Sequence, residues 1–157
     1  MKRLLLILIA GTALVGTASA VENTYYKPGT VTAQAGVGLA WGGVTGSLNG
    51  GVDVGVWQLP LAREFPLDIG LAGRVGLSLE PSVGAGAYAT AHYSWKAAHT
   101  DIDWLNHFET YLGLGLAFVP NLGLDGFVGL SYHFDNRWAL YVESNSYAAT
   151  IGGSYRF

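Results

Sequence analysis

Four carboxylates and two arginines in this chain of 157 residues invite a chemical reading: Asp53, Arg74, Glu109, Asp125, Glu143 and Arg156. Each falls on the polar side of a segment that alternates with period two, among glycines, serines and threonines. Charges gathered in a narrow interior are costly unless paired and hydrogen-bonded, so Arg74 and Arg156 are expected to bridge several of the carboxylates. His92 and His133 are their candidate neighbours. Acids outnumber arginines here, which leaves water or a protonated carboxylate to balance the remainder. Two roles suit such a set: a structural network that fills a lumen and fixes strand register, or the gate of a narrow polar conduit. The structural network is the reading adopted.

Other constellations carry less. Ser131-Tyr132-His133 places a hydroxyl and an imidazole two residues apart on one face of a strand, too far for the hydrogen bond that activates a nucleophile. Small outer-membrane lipid A deacylases and palmitoyltransferases use His and Ser, yet His133 is followed by Phe134-Asp135 rather than a nucleophilic serine. The segment His99-Thr100-Asp101-Ile102-Asp103 with His107 holds metal-capable groups at unspecific spacing and reads as a solvated loop. Its Thr100–Asp103 portion resembles a capping box, which predicts a helical turn over 101–107. Gly46–Gly51 lacks the lysine and the strand-to-helix context of a phosphate loop. No catalytic residue, metal ligand or cofactor is therefore assigned.

The elements that must position these residues are strands. From Val31 onward the chain divides into eight segments of about ten residues, the length a tilted membrane strand needs. They run over Val31–Trp41, Thr45–Gln58, Leu67–Leu79, Ser82–Trp95, Phe108–Val119, Leu122–Phe134, Arg137–Ser144 and Tyr147–Phe157. One face of each carries Leu, Val, Ile and Ala; the other carries Gly, Ser, Thr and the charges. A soluble barrel would bury the leucines, whereas here the narrow interior suits the small and polar face. The bulky face therefore belongs to lipid, and the fold class is an all-β, eight-stranded antiparallel up-and-down transmembrane β-barrel. Aromatics near the segment ends (Trp41, Trp57, Tyr93, Trp95, Trp104, Phe108, Phe118, Tyr132, Phe134, Trp138, Tyr155, Phe157) predict two interfacial girdles. With both termini on one side, the longer connections, Leu59–Pro66 and Lys96–His107, share that side, and the opposite rim has only short turns. This reverses the usual asymmetry of outer-membrane barrels.

The bulk composition agrees. Half the residues are hydrophobic and 12% charged, against about 25% charged in an ordinary soluble domain. The part after the N-terminal leader has no apolar run long enough for a membrane helix. Lys2 and Arg3, the apolar run Leu4–Val15 and the Ala18-Ser19-Ala20 site form a secretory signal peptide over residues 1–20, cleaved after Ala20. Residues 21–157 then make one domain. The chain has no cysteine, which removes disulfides, thiolate chemistry and cysteine-dependent zinc sites. A formal charge of −3 without a basic patch argues against nucleic acid as a partner.

The last residues, Thr150-Ile151-Gly152-Gly153-Ser154-Tyr155-Arg156-Phe157, resemble the C-terminal assembly signal of bacterial outer-membrane barrels, with Thr150, Gly152, Tyr155 and Phe157 at the matching positions. Over the whole mature chain the architecture is similar to the small eight-stranded outer-membrane barrels of the OmpA-transmembrane and OmpX type. That resemblance implies residence in the bacterial outer membrane as a monomer among outer-membrane lipids. It also implies delivery by periplasmic chaperones and recognition by the barrel-assembly machinery. Three functions follow in order: a structural, membrane-stabilising barrel with a mostly plugged lumen, a narrow porin-like pore, and a lipid-modifying enzyme.

Overall fold

The computed structural model describes residues 24–40, 45–62, 65–79, 83–98 and 101–157. The leader expected over 1–20 lies outside them, as do Trp41, His99 and Thr100. The strands are β1 (Val31–Ala40), β2 (Thr45–Ala62), β3 (Phe65–Ser78), β4 (Val83–Ser94), β5 (Phe108–Phe118), β6 (Leu122–His133), β7 (Trp138–Asn145) and β8 (Ala148–Arg156). Each pairs antiparallel with the next, and β8 returns to β1, so the sheet closes into an eight-stranded barrel. Closure leaves no edge strand, which is what backbone amides facing hydrocarbon require. The amide of Phe157 completes the seam by donating to the Val31 carbonyl at 3.0 Å.

Period-two alternation sorts the faces as expected. Leu112, Leu114 and Leu116 on β5 and Val128 and Leu130 on β6 project outward, while Glu109, Tyr111, Asp125, Phe127 and Ser131 are buried inside. One break in the alternation has consequences for the lumen. Between Gly55 and Trp57 the β2–β3 register shifts by a bulge, so Trp57 turns outward and Gln58 inward, 2% exposed. An extra residue on one strand inverts the facing of everything beyond it.

Two expectations differ from what is observed. The β2–β3 ladder continues to Ala62 opposite Phe65, so Leu59–Pro66 is the end of a hairpin rather than a long connection. The strands outlast the sequence signal: Pro60 pairs opposite Pro66, and after a register shift Ala62 pairs opposite Phe65. The remaining long connection holds two short 3-10 helices, Trp95–Ala98 and Asp103–His107; the second is capped at Ile102, with no side-chain capping bond. Its helical turn is present, and Thr100 of the expected capping box lies outside the described residues.

The aromatic girdle is one-sided among the described residues. Trp57, Phe65, Tyr93, Trp95, Trp104, Phe108, Tyr132, Phe134, Trp138, Tyr155 and Phe157 cluster toward the end that carries both termini, joined by contacts such as Trp138–Tyr155 at 4.7 Å and Tyr155–Phe157 at 5.0 Å. At the far rim the outward aromatic is Phe118, and leucines such as Leu79, Leu122 and Leu124 take the other places. The described charged side chains classed as exposed (Lys27, Lys96, Asp101, Asp103, Asp135 and Arg137) also lie at the terminal end. In the β6–β7 turn, Asp135 accepts from the amides of Trp138 at 2.8 Å and Arg137 at 2.6 Å. Those bonds favour the carboxylate and lower its pKa. Their contribution to the hairpin is complete above the ordinary carboxylate range and is lost as the pH falls below it.

Candidate functional site

The candidate site is the lumen, built from inward positions on all eight strands. At its middle, β3 presents Arg74 between Asp53 of β2 and Glu143 of β7. Arg74 Nη1 donates to Asp53 Oδ2 at 2.9 Å and Nη2 to Oδ1 at 3.1 Å. Its Nε and Nη2 reach Glu143 at 3.0 to 3.1 Å. A planar guanidinium offers two parallel forks, and here each fork takes one carboxylate. Gln34 of β1 adds a bond to Glu143 Oε2 at 3.2 Å, and the guanidinium lies 4.5 Å from the Phe127 ring centre. All three charged side chains are nearly inaccessible. Gly51 makes room for them, since a Cβ there would meet Arg74 Cδ at 2.7 Å.

Toward the far rim stands an aromatic layer. Tyr88 and Phe127 meet edge to face at 4.9 Å, Tyr111 packs on Phe127 at 6.0 Å, and Ala72 and Ala117 complete the cluster. The Tyr88 hydroxyl donates to Asp125 Oδ2 at 2.6 Å. Beyond this layer lies a cavity of about 40 Å³ lined by Ser47, Asn49, Ser78, Val119 and Tyr147 among others.

Toward the terminal end the central carboxylate is Glu109 of β5. His92 Nδ1 lies 2.8 Å from its Oε1, and His133 Nε2 lies 3.3 Å from its Oε2. Thr90 Oγ1 is 3.2 Å from His92 Nε2, and Arg156 Nη2 stands 3.9 Å from Glu109. The segment Thr24–Thr30 folds over this group. Tyr26, 1% exposed, stacks on the His92 ring at 3.7 Å, and Tyr25 stacks on His133 at 3.8 Å.

The segment is held by bonds as well as rings. The Tyr25 amide donates to Ser94 Oγ at 2.8 Å and its hydroxyl to the Asn106 carbonyl at 3.1 Å. Gln58 Nε2 bonds Asp68 Oδ1 at 2.6 Å and Thr24 Oγ1 at 3.3 Å. The segment enters through a turn in which Thr30 N–H donates to Lys27 C=O at 2.9 Å, with Pro28 second and Gly29 third at φ 85°. That is the arrangement of a type II turn, where the third position favours glycine. Gly29 N–H then bonds the Gly55 carbonyl at 2.9 Å, and Gly55 N–H bonds Thr30 C=O at 2.8 Å.

The six charged residues expected to form one network are thus divided among three levels. Asp53, Arg74 and Glu143 come together. Glu109 belongs with two histidines, and Arg156 stands near it rather than bridging several acids. Asp125 is held by a tyrosine. Strand register decides this, because on the β5–β6 ladder Glu109 sits opposite Ser131 whereas Asp125 sits opposite Gly115, well toward the far rim. The Thr150, Gly152, Tyr155 and Phe157 set divides by face: Thr150 is buried inside, Gly152 crowds Gly36 of β1, and Phe157 is exposed outside.

Sequence reasoning missed Tyr25, Tyr26, Gln58 and Asp68. Pro28-Gly29 was the available cue that the chain turns back before β1. Nothing in the pattern foretold the bulge that brings Gln58 inside.

No family model matches the chain, and no curated protein matches it. Among solved structures it is similar to one from a study titled "De novo design of transmembrane beta-barrels", with a TM-score of 0.62 and 18% identity, over 83% of this chain and 98% of that one. At that identity the likeness lies in the fold: eight antiparallel strands closed into a barrel of the transmembrane kind.

Proposed function

We propose that the protein is an integral barrel of the bacterial outer membrane, similar in kind to the OmpA-transmembrane and OmpX type, whose plugged lumen serves a structural, membrane-stabilising role. The observation that carries this reading is the occupation of the lumen at three successive levels: the tyrosine stopper, the Arg74 layer and the Tyr88–Phe127 layer. Among the described residues, polar cavities of about 20 and 40 Å³ lie between and beyond them, each with room for isolated waters rather than a continuous file. Outer-membrane lipids are its surroundings and it works as a monomer, without nucleic acid, metal or cofactor.

The pore reading requires all three levels to move together. The enzyme reading requires a free His–Ser pair, whereas the His133 imidazole is engaged by Glu109 and covered by Tyr25. Ion conductance of refolded Val21–Phe157 in a planar bilayer decides between plug and pore. Folded protein should be silent, and discrete, reproducible current steps would replace the structural reading with a channel. Incubation with lipid A or phospholipid should return the lipids unchanged in mass.

Chaperone delivery and recognition by the barrel-assembly machinery through Thr150, Gly152, Tyr155 and Phe157 belong to the same proposal. Phe157→Ala keeps the amide that bonds Val31 and removes only the exposed ring. It should lower the amount of protein in the membrane fraction several-fold while leaving refolding in detergent intact. Equal membrane levels of variant and parent would count against the signal.

A further inference from the structure

Between the Tyr26 stopper and the Arg74 layer the lumen retains a cavity of about 20 Å³. Its lining residues include four that each carry a buried polar atom without a hydrogen-bond partner: the Tyr26 and Tyr111 hydroxyls, Thr32 Oγ1 and Arg156 Nε. Tyr26, Glu109, Tyr111 and His133 are each at least nine-tenths buried. On the same lining His133 Nε2 and Glu109 Oε2 are each other's neighbours at 3.3 Å. A buried donor or acceptor left unmet is costly. Four of them around one small space, the number one water can serve, make an improbable accident of packing.

We infer that this chamber is a built binding site for one ordered water, sealed from the terminal end by Tyr26. Size and donor balance select the occupant. A water needs roughly 10–15 Å³ of such space and makes two to four hydrogen bonds, so the chamber takes one. Glu109 Oε2 can only accept when ionised, Arg156 Nε can only donate, and the hydroxyls can do either. An occupant must therefore both donate and accept. A bare cation meets the guanidinium of Arg156, and an anion meets the carboxylate of Glu109. Water satisfies both and carries no charge into the lumen. The inference is independent of the structural role proposed above, because it concerns one chamber and not conduction.

The experiment compares long-lived internal water in the folded full barrel with that in variants, by magnetic relaxation dispersion of isotopically labelled water. Heat-modifiable gel mobility establishes folding. Ser154→Val fills part of the chamber from its wall, and Thr32→Val removes one partner while keeping the shape. Wild-type protein should show one more long-lived water than Ser154→Val, and Thr32→Val should shorten the residence time of that water. Native mass spectrometry should find no retained ion. Identical dispersion in wild type and both folded variants, or a stoichiometric ion in the wild type, would overturn the inference.

Discussion

Arg74→Ala should destabilise the barrel by about 3–5 kcal/mol, the usual cost of removing one partner from a buried charge cluster. The guanidinium uses both of its forks, one on Asp53 and one on Glu143. Without it two buried carboxylates face each other across the space it leaves. Coulomb repulsion, desolvation and the lost volume act in the same direction. Lysine cannot substitute: an ammonium is a point charge that serves one carboxylate well and not two forks, so Arg74→Lys should recover less than half of the loss.

The sharper comparison neutralises what alanine leaves behind. Asp53→Asn and Glu143→Gln in the Arg74→Ala background should recover a substantial part of the stability, because amides can be buried more cheaply than unpaired charges. Urea unfolding followed by tryptophan fluorescence reads all four proteins. An Arg74→Ala barrel within about 1 kcal/mol of the parent, a margin typical of an exposed ion pair, would show that the cluster is effectively solvated. A plugged barrel predicts this loss of stability without current, whereas a pore predicts altered conductance from the same substitution.

The legible part of this molecule is the part that repeats. Alternation of Leu112, Leu114 and Leu116 against Tyr111, Gly113 and Gly115 states strand, face and solvent at once, because a period of two has a single geometric meaning in a closed sheet. Inward charges such as Asp53, Arg74 and Glu143 followed from that parity. Their grouping did not. Which inward residue meets which depends on register across non-neighbouring strands, and β2, β3 and β7 contribute to one layer without β2 or β3 pairing with β7. The bulge after Gly55 is invisible for a related reason: a single added residue breaks a pattern by the same amount as chance does. The stopper was least legible of all. Thr24–Thr30 lies before the first alternating segment, belongs to no periodic element, and is positioned by turn chemistry and by contacts more than sixty residues away in sequence, such as Tyr25 to Ser94.

Tyr26→Ala should open the terminal end of the lumen while leaving its middle closed. The ring is almost fully buried, lies flat on His92, and projects its hydroxyl toward Gly70, where any Cβ would collide with it. Truncating a buried aromatic costs about 3–5 kcal/mol. Tyr26→Phe keeps the ring and loses only a hydroxyl that has no protein partner, so it should stay within about 1 kcal/mol of the parent. The pair of variants separates packing from hydrogen bonding. Access follows the ring: diethyl pyrocarbonate should leave His92 unmodified in the parent and in Tyr26→Phe, and modify it readily in folded Tyr26→Ala, as read by peptide mass. Current should remain absent in Tyr26→Ala, because the Arg74 and Tyr88–Phe127 layers stand behind the opened chamber. Protection of His92 in folded Tyr26→Ala would mean that Tyr25 alone closes the barrel, and modification of His92 in the parent would mean that nothing does.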